Sequence, residues 1–102
     1  MSKTANAARG EASIVIGGAA ILLRPTFAAL CAAEEELGPL FALVERAAEG
    51  RLGIGEIAAL FWHCADGAAT REAMGAAIAE AGLAQVAPVL RVLLTQILQG
   101  GA

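Results

Sequence analysis

The chain has no block of like charge, no long apolar run, a single histidine and only two cysteines among its 102 residues. Each absence removes a class of function. Seven basic and ten acidic side chains give a formal charge of −3 and are scattered along the chain. Binding of nucleic acid calls for a basic stripe that neutralises phosphates, and none is present. The longest uncharged run covers residues 12–23 and is broken by Gly17-Gly18. A spanning helix needs about 20 apolar residues, so no membrane association is expected. The first residues lack the basic-then-apolar order of a secretory leader, which leaves the expectation of a cytoplasmic protein. In that compartment Cys31 and Cys64 are expected as two buried thiols rather than a disulfide.

What is present is apolar and small. The hydrophobic fraction is 58%, but much of it is alanine, which adds helix propensity more than buried area. A chain of this length builds one domain with a modest core. Residues 1–8 read as a frayed N-terminus, 9–99 as a single domain and 100–102 as a tail. Residues 11–16 have the β-branched enrichment of a strand. Gly17-Gly18 is a two-residue turn signal, and residues 19–23 return as the second strand. Pro25, which has no N–H, blocks further ladder. Thr26 then caps a helix over 27–37, closed by Gly38. Further helices are expected over 40–48 (ending at Gly50), about 55–65, from the Thr70 cap to Gly82, and about 85–98 with Pro88 in or near the first turn. The expected fold is α+β, with an N-terminal hairpin followed by about five short helices covering its apolar face.

Candidate chemistry is sparse, and no cofactor or metal is implied. His63 and Cys64 are neighbours on a helix, about 100° apart, which is unsuited to a dyad. With Cys31 they still fall short of the four ligands zinc takes. Both are therefore read as structural. Gly53-Ile54-Gly55-Glu56-Ile57-Ala58 matches a dinucleotide-binding pattern but follows a helix instead of a strand, so it is a decoy. Glu34-Glu35-Glu36 lies at a helix C-terminus, where carboxylates oppose the macrodipole. On the wheel Glu34 falls at about 340°, between Phe27, Leu30, Cys31 and Leu37. A carboxylate there needs a partner, and Arg24 is the candidate for a fold-fixing pair, the alternative being contact with another protein.

Two features point to protein contacts. Ile57, Leu60, Phe61 and Cys64 form a core stripe, whereas Trp62 lies about 140° from Ile57 and off it. Such a tryptophan either fills a gap against another helix or anchors a contact. The last helix carries apolar residues around most of its wheel, Val89, Leu93, Leu94 and Ile97 among them, well beyond one stripe. It is either central to the fold or offers a patch for a partner or for self-association.

Asn6-Ala7-Ala8-Arg9-Gly10-Glu11, the glycine-centred hairpin, Leu23-Arg24-Pro25-Thr26-Phe27, then Glu34 and Leu37-Gly38 occur in a telling order. This opening resembles the small gene transfer agent and phage tail proteins classed as tail assembly chaperones. The resemblance makes Arg9, Gly10, Glu11, Arg24, Thr26, Phe27, Glu34 and Gly38 the motif residues. It implies a non-enzymatic protein that binds the long tape-measure protein during tail morphogenesis, self-associates and is absent from the finished particle. Trp62 and the last helix would supply the contact surface. After about Leu60 the stretch 61–67 departs from the family's pattern. The alternatives are a structural tube or connector component, which the low strand content disfavours, and a small dimeric regulatory module.

Overall fold

A computed structural model describes residues 5–6 and 10–100. Most of the expected frayed N-terminus, Arg9 and residues 101–102 of the expected tail lie outside the described residues. The element order is β1 (Ala12–Ile16), β2 (Ala19–Leu23), α1 (Phe27–Leu37), α2 (Leu40–Ala48), α3 (Ile54–Cys64), α4 (Arg71–Ala81) and α5 (Leu83–Gln99). The α+β expectation of a hairpin and five helices therefore describes the fold.

β1 and β2 pair antiparallel with Ile14 opposite Ile21. Gly17 and Gly18 both take positive φ, 57° and 83°, as a two-residue hairpin turn with the strands' own twist demands. The face bearing Ala12 and Ile14 is buried, covered by α4 and α5. The helix ends follow local chemistry. Thr26 Oγ1 accepts from Ala29 N at 3.1 Å and Thr70 Oγ1 from Ala73 N at 3.0 Å, satisfying donors that a first turn leaves orphaned. Gly38 and Gly82 take φ of 87° and donate back to Glu34 O and Ile78 O.

Boundaries differ from expectation where a residue serves two elements. β1 starts after Glu11, whose N–H and carboxylate are engaged with Asn6. α3 starts at Ile54 because Glu56 reaches back to Gly53 N at 3.0 Å, the carboxylate half of a capping box. α5 starts at Leu83 because Gly82 closes α4 and opens α5 at once. Pro88 consequently sits inside α5 rather than in its first turn.

The core is built on α3. Leu60 and Phe61 are fully buried, with Leu23, Leu43, Met74, Ile78 and Leu93 around them from the hairpin, α2, α4 and α5. The stripe expected on α3 is the buried one. α1 corrects the sequence reading. Its buried residue is Ala33, Phe27 is 85% exposed and Cys31 is exposed, not buried. α1 faces the core through Ala29, Ala33 and Leu37, and its alanines allow a close approach to the bulky α3. A buried CH₂ contributes about 0.8 kcal/mol, so that alanine contact stabilises little by area alone. Polar ties supplement it.

Candidate functional surface

The strongest polar tie joins three helices. Glu36 of α1 accepts two hydrogen bonds from Arg71 of α4, one of them from Nη1 to Oε2 at 2.6 Å. His63 Nε2 of α3 lies 2.8 Å from Glu36 Oε1. A carboxylate can only accept, so that ring nitrogen donates. The bonds from Arg71 first, and then from His63, hold the Glu36 carboxyl down at about 2. The same pairing raises the Arg71 guanidinium further. The Arg71 guanidinium also lies 4.4 Å above the Trp62 ring, a cation–π geometry. The Trp62 and His63 rings meet edge to face at 4.9 Å.

The Trp62 ring is half-buried against the core with the Arg71 guanidinium on its face. His63 is occupied by Glu36, and burial pushes the Cys64 thiol up to about 12. Such a thiol stays protonated near neutrality and is no nucleophile. Glu36 carried no local signal, because its partners lie 27 and 35 residues further along the chain.

The pair assigned to Glu34 and Arg24 is not formed. Arg24 Nε instead meets Glu11 Oε2 at 3.3 Å. Glu11 is the buried acid, 8% exposed, and it also accepts from Asn6 N at 3.2 Å. Glu34 is exposed, and its Oε2 accepts from Leu40 N at 3.0 Å across the Gly38-Pro39 corner. The motif residues thus act at three places. Glu11 and Arg24 tie the N-terminal segment to the end of β2 and Gly10 seats it against Gln96 of α5, while Thr26, Glu34 and Gly38 shape the two ends of α1. Phe27, the remaining described motif residue, points outward.

On α5, Leu93 is fully buried and belongs to the core. Val89, Leu94 and Ile97 are partly buried against it. α5 packs on α2, α4 and β1, which accounts for much of its wide apolar surface. What remains outside on α5 is Leu83 at its start and Leu98 near its end. Leu98 of α5 is 54% exposed and Phe41 of α2 is 76% exposed. Both line a groove of about 210 Å³ between α1, α2 and α5, together with Leu30, Glu34 and Val44. Among the described residues no group of three or more His, Cys, Asp or Glu is placed to hold a metal. No helix among them is long and apolar enough to cross a membrane.

Ties between helices, a buried Cys64 thiol and outward apolar side chains characterise this α+β module. The chain belongs to the family described as phage tail tube protein, GTA-gp10, which matches residues 9–100. No curated protein and no solved structure matches it significantly. The gene transfer agent tail resemblance therefore stands, and its chaperone part is corrected: the family is described by a tube component, a structural role. The argument that led away from a tube was low strand content. The strand content is as low as expected, so it does not discriminate between the two roles.

Proposed function

We propose that this chain is a non-enzymatic structural subunit of a phage-like tail, of the tube type, and that it assembles with copies of itself. The carrying observation is the family's description over residues 9–100. The apolar side chains left outside the fold, Phe27, Phe41 and Leu98 above all, support it. A monomeric soluble domain seldom leaves such side chains in one region unless another molecule covers them. The reading places the protein in the finished particle, the reverse of what the chaperone resemblance implied. The test is sedimentation velocity and negative-stain electron microscopy of the purified full chain over rising concentration. Multimers that grow with concentration, ending in rings or tubes, are the expected result. A monomer throughout would overturn the proposal.

A further inference from the structure

We infer that the groove between α1, α2 and α5 is a contact between copies of this chain, with Arg91 of the second copy set against Glu34. The inference rests on the reading of the chain as a self-assembling subunit and names the surface involved. It starts from the flank of α1 next to its core-facing side. Phe27, Leu30 and Glu34 share that side, since they fall within about 60° of one another on the wheel. Leu30 and Glu34 continue into the groove, whose other wall is Phe41 and Leu98. Three of the six large apolar side chains exposed among the described residues, Phe27, Phe41 and Leu98, thus lie on or beside one surface.

Charge identifies the occupant. Glu34 is the charged residue of the groove. One of its oxygens accepts from Leu40 N, leaving Oε1 without a partner among the described residues. Of the five described arginines, Arg24, Arg46, Arg51 and Arg71 are paired with Glu11, Glu56, Glu49 and Glu36. Arg91 has no carboxylate partner among the described residues, and it is exposed. It precedes Leu98 by seven residues on α5, so the two share a face at a separation of roughly 10 Å. The outer side of α5 therefore borders an apolar groove with an open acceptor on one flank and carries, two turns away and bordering the other flank with Pro88 and Gln96, an unpaired donor. Two copies with their α5 helices antiparallel about a two-fold axis bring each Arg91 to the other's groove. Such an isologous contact forms the charge pair twice. The apolar walls supply affinity, and the two charge pairs set register and orientation. Growth from dimers to a tube would use other surfaces.

The test is the dissociation constant of the full chain by sedimentation equilibrium, with circular dichroism of each variant as a folding control. Phe41→Glu places a second carboxylate beside Glu34 and is expected to raise that constant at least tenfold, roughly the effect of a desolvated like-charge contact. Glu34→Arg and Arg91→Glu are each expected to weaken self-association on their own. An equimolar mixture of those two variants should associate about as well as the wild type, because each cross-pair restores opposite charges. Folded variants that associate like the wild type would overturn this interface and leave the self-assembly reading standing. Failure of the mixture to recover would overturn the Arg91–Glu34 pairing. A wild-type chain that never associates would overturn both the interface and the function proposed above.

Discussion

Gly10 has no room for a β-carbon. Its φ is +73°, and a Cβ there would lie 2.3 Å from the Cβ and Cγ of Gln96 on α5. A positive φ costs a non-glycine residue about 1–3 kcal/mol, and α5 would also have to move. Gly10→Ala is therefore expected to destabilise the fold by about 2 kcal/mol, read as a fall of some 10 °C in the thermal midpoint by circular dichroism. An unchanged midpoint would mean that the N-terminal segment does not dock on α5. The next residue shows what spacing could and could not reveal. Arg-Gly-Glu followed by Arg-Pro-Thr-Phe was legible as two linked pieces of one pattern. That Glu11 is the acid bridging them, through Arg24 at 3.3 Å, was not. The wheel puts Glu34 among Phe27, Leu30 and Leu37, but Phe27 itself is turned outward, so apolar neighbours there do not bring burial.

Among the elements, α1 carries both the clearest agreement and the clearest failure. Its ends were legible because Thr26 and Gly38 act through backbone geometry that depends on the nearest residues alone. Its buried side was not, because a wheel weights phenylalanine and leucine while the fold chose alanines for a close approach to α3. The same side holds Glu36, whose tie to Arg71 and His63 has a definite acid signature. Its carboxyl ionises at about 2 in the folded chain against an ordinary 4.5. The lowered value means that the tie contributes fully above the ordinary value and is lost as the pH falls from about 4.5 towards 2. Glu36→Gln should be less stable than the wild type at pH 7. The gap should close across that acid window in urea unfolding followed at stepped pH. A gap of constant size from pH 7 to pH 2 would show that the carboxylate's charge is not what ties the helices. Glu56 is also held below its usual range, by Gly53 N–H and then Arg46. It is common to both proteins, so the difference between them isolates Glu36.

The whole molecule has a core on its inside and apolar side chains left outside, three of them, Phe27, Phe41 and Leu98, on or beside the groove between α1, α2 and α5. Fold class was legible because periodicity, threonine caps and glycine stops all agree along the chain. Role was less so. The resemblance in the opening residues pointed to gene transfer agent tails, and the match over residues 9–100 sustains that much. Chaperone and tube component both call for apolar contact surface and no active site, so composition could not separate them. Where the protein ends up does separate them. The most direct measurement is quantitative mass spectrometry of purified, finished particles from cells that encode this chain, set against the same cells' lysate. A structural subunit predicts this chain in the particles at many copies each, in constant ratio to the other tail proteins. Abundance in the lysate with no trace in the particles would contradict it.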